Sequence, residues 1–131
     1  EAGSVSSLSY VSRGIEETAA VMDKDRIIIA LPFYTRVWIT DQSGKLRSEA
    51  LSIKAAAAWI QEKNVSLEWL SEIGQNYGSI QDGNEKKEIW MEDEKSMKEK
   101  MKLLKENGIQ GVAAWKLGQE PEGFWSILTG E

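Results

Sequence analysis

The sequence contains no cysteine and no histidine among its 131 residues. Without thiols, the chain can form no disulfide, thiolate metal site or cysteine nucleophile. Without imidazole, it has neither a Ser-His-Asp triad nor a histidine-ligated zinc. Acid–base chemistry would therefore fall to carboxylates, tyrosine or lysine. We expect no metal and no cofactor.

Charge and hydropathy exclude two further classes of partner. The formal net charge of −5 argues against binding to nucleic acid or to an anionic membrane surface. No apolar run approaches the roughly 20 residues needed to cross a bilayer. The length fits about one domain. The chain opens with Glu-Ala-Gly-Ser, with neither an initiator methionine nor a signal-peptide pattern, so we expect it to be part of a longer protein.

Apolar strands alternate with amphipathic helices along both ends of the chain. Residues 27–31 (Ile-Ile-Ile-Ala-Leu) are apolar at every position, which is typical of a strand covered on both faces. Residues 112–115 form a second short apolar strand. Helical periodicity marks residues 8–22 and 93–107, and Pro121 is a suitable first residue for a last helix. This order predicts an α/β fold with parallel strands joined by right-handed crossovers.

The middle of the chain follows a different pattern. Ser52 is a candidate N-cap for a helix that ends near Asn64. Residues 66–91 form short runs separated by glycines, with Asp82-Gly83 as a hairpin signal. The sequence therefore predicts three units: a helix and strand at 1–40, an α+β insertion at 41–91, and a helix–strand–helix unit at 92–131.

The two apolar strands carry recognisable motifs. "IIIALPFYTRVW" at 27–38 resembles the seventh-strand motif of glycoside hydrolase family 18, G-[IV]-P-F-Y-[GT]-R-x-W. "GIQGVAAWKLGQE" at 108–120 is similar to the family's eighth-strand motif, G-[LI]-x-G-V-x-x-W-x-[LW]-G-x-[DE]. The segments at 3–17 and 88–108 resemble the helix after the sixth strand and the link to the eighth. The resemblance implies that the chain folds as the C-terminal portion of a (β/α)8 (TIM) barrel with a small α+β insertion. It also implies the chitinase-like and spore-cortex N-acetylglucosaminidase-like branch of the family.

This resemblance implies a function and a set of site residues. Family members hydrolyse N-acetylglucosamine-containing glycans, chitin or peptidoglycan, which implies a glycan partner and an extracellular, cell-envelope or spore-associated location. The C-terminal ends of barrel strands line the active site. By resemblance, Tyr34 and Arg36 would contact the sugar near the scissile bond, and Trp115 would form an aromatic floor. Trp38 would belong to the cleft wall, with Gln119 or Glu120 at the rim.

The acidic motifs of the family are missing from this chain. Neither D-x-x-D-x-D-x-E, expected on the fourth strand, nor M-x-Y-D, expected on the sixth, has a counterpart in the 131 residues. The resemblance therefore implies no catalytic residue here. We expect the chain alone not to hydrolyse glycans.

Each candidate also has a simpler structural interpretation. Trp115 could be a core indole, and Tyr34 and Arg36 could lie on an edge strand with a solvent-facing side. The acidic run 92–94 could hold a catalytic carboxylate pair, but an acidic helix N-terminus favoured by the helix dipole explains it more simply. The lysine-rich helix at 95–105 is expected to be a solvated face. The expected core of the insertion consists of Trp59, Trp69 and Trp90, although Trp90 could instead form part of a cleft wall with Trp38.

Two other function classes stay open. The chain could be a non-catalytic carbohydrate-binding module, or a structural α/β interaction domain without sugar affinity. Unpaired strand edges and apolar faces also predict that the chain associates with another copy or requires the rest of its barrel.

Overall fold

The computed structural model describes residues 1–130. Two sheets and four helices make up the fold, together with a 3-10 turn at Lys24–Arg26. The elements in chain order are α1 (Leu8–Ala19), β1 (Ile28–Pro32), β2 (Tyr34–Thr40), β3 (Leu46–Ser52), α2 (Ile53–Glu62), β4 (Leu67–Leu70), β5 (Gln75–Asp82), β6 (Glu85–Met91), α3 (Glu94–Glu106), β7 (Gly111–Trp115) and α4 (Phe124–Thr129).

The smaller sheet contains only β1 and β7, which run parallel as predicted. Their register places Ile28 opposite Gly111 and Pro32 opposite Trp115. Just beyond the strands, the Phe33 amide donates to the Trp115 carbonyl oxygen at 2.7 Å. The C-terminal ends of both strands therefore lie side by side.

Helices cover one face of this sheet, and the other face is open. Ile29 and Val112 pack against the clusters formed with α1, α3 and α4, and Leu31 is fully buried among them. On the opposite face, Ile28 is 68% exposed and Ala30 is also exposed. The prediction that residues 27–31 are covered on both faces was wrong, because the described helices pack against one face of the sheet only.

The larger sheet is antiparallel, with the strand order β3-β2-β6-β5-β4. The predicted hairpin joins β5 to β6, and Gly83 in its turn has a φ of +61° that favours glycine. One face of the sheet packs on α2 through a cluster of buried residues: Val37, Ile39, Ala56, Ile89 and Met91. The sheet begins at Tyr34, ahead of residue 41, where the sequence places the start of the insertion. The three-unit division stays a prediction.

The insertion's tryptophans occupy different environments. Trp59 packs at the margin of the α2 cluster, as expected. Trp90 instead packs against the ring of Tyr77, with 4.9 Å between centroids, and Trp69 lies under the ammonium group of Lys95. The prediction of one core formed by three indoles was wrong, because aliphatic side chains and Ala56 fill that space.

Serine side chains cap the N-termini of α1 and α2, and the Ser52 cap confirms the prediction from the sequence. Ser7 accepts a hydrogen bond from the Tyr10 amide, and Ser52 accepts one from the Ala55 amide, each at 3.1 Å. The last helix, by contrast, begins at Phe124 rather than at Pro121. Pro121 lies in the preceding turn, where its carbonyl oxygen accepts from the Phe124 amide at 3.3 Å.

Candidate functional site

The side chains of β2 alternate between a face that packs in the core and a face that carries candidate site residues. Thr35, Val37 and Ile39 are buried, because successive side chains of a strand point to opposite sides. Tyr34 and Arg36 lie on the other, half-buried face. β2 pairs with β3 over residues 34–40 but with β6 only over residues 37–40, so Tyr34 and Arg36 lie on the part of the strand that pairs with β3 alone.

Tyr34 and Arg36 meet the end of β7 at a hollow of about 340 Å³, which we call the Arg36 hollow. A volume of this size lies within the range of small-molecule pockets. The residues that line the Arg36 hollow are Tyr34, Arg36, Ala50, Leu51, Trp115, Lys116 and Gln119. Four of the five predicted site residues therefore come together in one place.

Trp115 separates the Arg36 hollow from a neighbouring one. The second hollow, of about 440 Å³, is lined by Val5, Ser6, Tyr10, Ala30, Leu31, Pro32, Tyr34 and Trp115, and we call it the Tyr10 hollow. Trp115 is 66% exposed, which excludes the core-indole interpretation. Its indole and the phenol of Tyr34 present apolar ring surface with polar edges to both hollows.

Arg36 is oriented by a neighbouring strand. Its Nη1 donates to Ser48 Oγ at 2.8 Å, which leaves most of its five N–H donors free. Within residues 1–130, no carboxylate oxygen lies within 4.0 Å of the guanidinium nitrogens. The charge of Arg36 is therefore available to a ligand.

The side chains of the two rim candidates, Gln119 and Glu120, lie in different surroundings. The Gln119 carbonyl accepts from the Ile53 amide at 3.2 Å, while its side-chain Oε1 is buried with no hydrogen-bond partner among the described residues. Glu120 accepts instead from Trp125 Nε1 at 3.2 Å and does not line the Arg36 hollow. The pKa of the Glu120 carboxyl is lowered by backbone hydrogen bonds, of which the bond to the backbone of Glu120 itself has the largest effect. Gln119 is thus the rim residue that faces the hollow.

Trp38 is not brought to either hollow. Its Nε1 donates to the Gly3 carbonyl oxygen at 2.7 Å, so its polar edge is occupied by the N-terminal segment. Trp38 lies farther along β2, opposite Ser48 and Glu88 on the neighbouring strands.

A buried ionic network beneath β2 was not among the features predicted from the sequence. Both oxygens of the Glu92 carboxylate, which is fully buried, accept hydrogen bonds from Lys100 Nζ, at 2.5 and 2.6 Å. Gln75 and Ser96 donate to the same carboxylate at 2.7 and 2.8 Å, and Thr35 Oγ1 accepts from the Glu92 amide. Burial raises the pKa of Glu92 and lowers that of Lys100, and the attraction between the two charges opposes both shifts.

Two sequence-based interpretations therefore need correction. Lys100 does not belong to a solvated face, because it lies three residues after Met97 and four before Leu104, on the apolar stripe of α3. That position was the available signal. Glu92 precedes the helix and is buried, whereas Asp93 is the N-cap and Glu94 lies in the first turn, as an acidic N-terminus predicts.

Two kinds of feature are absent from residues 1–130. No group of three or more Asp, Glu, His or Cys residues there is placed to hold a metal ion. None of the helices there has the length and apolar character required to cross a membrane.

Comparison with known proteins agrees with this architecture. The family model described as glycosyl hydrolases family 18 matches residues 4–120. The chain belongs to this family. It is α/β and has the fold of the C-terminal portion of the family's (β/α)8 barrel.

The relatives show which part of such a protein the chain corresponds to. The cortical fragment-lytic enzyme of Bacillus anthracis is 24% identical over 127 residues, which are 95% of this chain and 30% of that enzyme. The crystal structure of the Bacillus cereus spore cortex-lytic enzyme SleL superposes with a TM-score of 0.87 and 25% identity, over 98% of this chain and 30% of that one. A Chromobacterium violaceum chitinase shares the fold, with a TM-score of 0.87 and 17% identity, over 98% of this chain and 40% of that one. The chain thus spans 30% of the length of the two Bacillus enzymes and 40% of the chitinase chain.

Proposed function

We propose that the Arg36 and Tyr10 hollows form a sugar-binding surface of a family 18 glycosidase that acts on an N-acetylglucosamine-containing glycan, chitin or peptidoglycan. In this proposal Trp115 is the floor under the sugar, and Tyr34, Arg36 and Gln119 form the wall. The chain supplies substrate contacts and not the catalytic acid, because the family's acidic motifs have no counterpart in its 131 residues.

The exposed indole of Trp115 carries this proposal. A tryptophan that is 66% exposed at the end of a strand leaves a large apolar ring in contact with water. Sugar rings have faces rich in C–H groups that can stack on such a ring and remove it from water. The Pro32–Trp115 register, together with Phe33, sets Tyr34 beside this ring, so two aromatic side chains meet at the same hollows.

Polar groups around the indole supply the hydrogen bonds that a sugar requires. Arg36 has free N–H donors, and the Tyr34 hydroxyl can donate or accept. The buried Oε1 of Gln119 has no partner, and an unsatisfied buried acceptor costs roughly 1–3 kcal/mol. Because that oxygen is sealed from solvent, a sugar hydroxyl or amide could donate to it, and recover this energy, only after the Gln119 side chain turns toward the hollow. Few but convergent polar groups beside an apolar surface are typical of ligand sites.

The names of the relatives support the choice of glycan and location. They are called cortical fragment-lytic enzymes, spore cortex-lytic enzymes and chitinases. We extend to this chain a substrate of the N-acetylglucosamine type and a spore-associated, cell-envelope or extracellular location.

A second candidate function is a carbohydrate-binding module without catalysis. The absence of the acidic motifs from the 131 residues favours it for the chain acting alone. Incubation of the pure chain with N-acetylglucosamine oligomers should release no shorter products. Product formation would show that a catalytic carboxylate lies within the chain after all.

Titration with tetra-N-acetylglucosamine, followed by calorimetry, tests the sugar-binding proposal. Trp115→Ala should weaken binding by up to about tenfold, because it removes the stacking surface, which we take to be worth about 0.5–1.5 kcal/mol as for aromatic pairs. Trp69→Ala is the matched control, since Trp69 lies on β4 at the far edge of the larger sheet. Equal affinities for the Trp115→Ala variant and the unmodified chain, or no binding by the unmodified chain, would contradict the proposal.

A further inference from the structure

The Arg36 hollow combines two positive charges with no negative one. Arg36 and Lys116 both line it, and none of its seven lining residues is acidic. Among residues 1–130, neither cation has a carboxylate oxygen within 4.0 Å, although most of the other arginines and several lysines have one. In a chain with 21 acidic and 16 basic residues, a hollow with this charge stands apart from the average surface.

The backbone adds to the positive potential. The N-terminus of α2 lies against the hollow, since the Ile53 amide donates to the Gln119 carbonyl and Ser52 pairs with Tyr34. A helix N-terminus carries a partial positive charge, and the first turn of α2 has no acidic residue to offset it. The two cationic side chains and the N-terminus of α2 therefore all make the electrostatic potential in the hollow more positive.

An uncharged glycan would leave these charges unused. The hydroxyl and acetamido groups of poly-N-acetylglucosamine are neutral, so they gain hydrogen bonds from Arg36 but no ion pairing. A carboxylate on the sugar would gain both, because charge-assisted hydrogen bonds are about twice as strong as neutral ones and an arginine can hold a carboxylate through two N–H groups.

We propose that Arg36 and Lys116 form a subsite for a carboxylate carried by an N-acetylhexosamine, of the kind that the lactyl ether of N-acetylmuramic acid supplies. The preferred ligand of the Arg36 hollow is then a peptidoglycan-type strand whose lactyl groups carry no peptide and keep their carboxylate, rather than chitin. Trp115 stacks on the sugar ring while the two cations hold its acidic substituent. This inference rests on the proposed sugar-binding function and adds the residues that set glycan specificity.

Paired ligands test the subsite. The chain is titrated with the N-acetylglucosaminyl-N-acetylmuramic acid disaccharide and with its methyl ester, which has the same rings but no charge. We expect the free acid to bind about tenfold more tightly than the ester. Arg36→Gln should abolish this preference and Lys116→Gln should reduce it. Arg36→Gln should also weaken ester binding, because Arg36 belongs to the proposed sugar wall, but by less than it weakens binding of the acid.

Lys45→Gln is the matched control for net charge. Lys45 lies in the turn between β2 and β3, at the opposite end of that hairpin from the Tyr34–Ser52 pair. The Lys45→Gln variant should keep the full preference for the free acid over the methyl ester. Equal binding of acid and ester, or an acid preference that survives in both Arg36→Gln and Lys116→Gln, would overturn the subsite and leave the sugar-binding proposal intact. No binding of either ligand, nor of tetra-N-acetylglucosamine, would overturn both.

Discussion

Lys100 lies among hydrophobic residues on α3, with its ammonium group buried against the Glu92 carboxylate. Moving two charges out of water is costly, and their attraction repays the cost only when further hydrogen bonds complete the network. Gln75 and Ser96 provide these bonds. The network ties α3 to β5 beneath the site, and Thr35 on β2 joins it through the Glu92 amide.

Removal of the Lys100 charge should therefore destabilise the protein strongly. In Lys100→Met the methylene stem is largely kept, but the buried Glu92 carboxylate loses its cation. The free energy of unfolding, measured with urea, should fall by about 3–5 kcal/mol. Lys98→Met is the control, because Lys98 forms an exposed pair with Glu94 on the same helix and should cost no more than about 1 kcal/mol. Similar losses in the two variants would show that the buried pair does not stabilise the fold.

At this scale the sequence could indicate which face of β2 each residue occupies, but not its partner. Alternation alone puts Tyr34, Arg36 and Trp38 on one side. That Trp38 donates to Gly3, 35 positions earlier, follows from how the N-terminal segment folds back over the sheet. No local pattern encodes such a contact. The same holds for the burial of Gln75, whereas the burial of Lys100 had a local signal in its position on the apolar stripe of α3.

The pairing of β1 with β7 is the element that brings Trp115 to Tyr34. The two strands approach closely at Gly111, where a Cβ atom would lie 2.8 Å from the Ile27 carbonyl oxygen and 2.9 Å from Ile28 Cγ1. Real Cβ atoms do not come so near to backbone atoms. The absence of a side chain at Gly111 therefore permits the observed strand spacing.

Gly111→Ala should loosen this strand pair. Overpacking of this kind costs about 1–3 kcal/mol, and we expect that loss in the free energy of unfolding. Gly14→Ala is a matched comparison, because Gly14 lies within α1 with no atom within 4 Å of an added Cβ. It should stabilise the chain by up to about 1 kcal/mol, since alanine is the better helix former. Unchanged stability in Gly111→Ala would mean that the strands can separate without cost.

Elements defined by local signals were predictable, whereas of the distant pairings only the parallel pair β1–β7 was predicted, from the alternation of apolar strands and helices. The Ser52 cap and the Asp82-Gly83 hairpin depend on neighbours within a few residues. The interior position of β2 in the larger sheet depends on its pairing with β6, about fifty residues later along the chain. Full burial of residues 27–31 failed as a prediction for a similar reason, since an apolar run reports hydrophobicity and not which faces are covered.

On the scale of the whole molecule, the open face of the β1–β7 sheet is the main exposed apolar surface next to the site. Ile28, Ala30 and Trp115 lie on it without helices above them. Parallel sheets are usually covered on both faces, and contiguous exposed apolar surface promotes association. We propose that copies of the chain associate through this face when no other protein segment covers it.

Sedimentation velocity over a range of protein concentrations tests this association. The unmodified chain should shift toward dimers or larger species as concentration rises, whereas Ile28→Lys should remain monomeric at higher concentration. Val21→Lys is the control, because Val21 is 84% exposed just after the end of α1 and lies outside the open face. A monomer at all concentrations, or equal association by Ile28→Lys and the unmodified chain, would contradict the proposal.

An NMR titration with tetra-N-acetylglucosamine tests whether Trp115 is the floor under the sugar. It follows the chemical shifts of the indole N–H signals of the six tryptophans. Trp115→Phe identifies the Trp115 signal. If the sugar stacks on Trp115, this signal shifts most on addition of the tetramer. The signals of Trp59 and Trp69, which line neither the Arg36 nor the Tyr10 hollow, stay in place. A Trp115 signal that does not move at saturating tetramer, or a larger shift at Trp59 or Trp69, would contradict this role of Trp115.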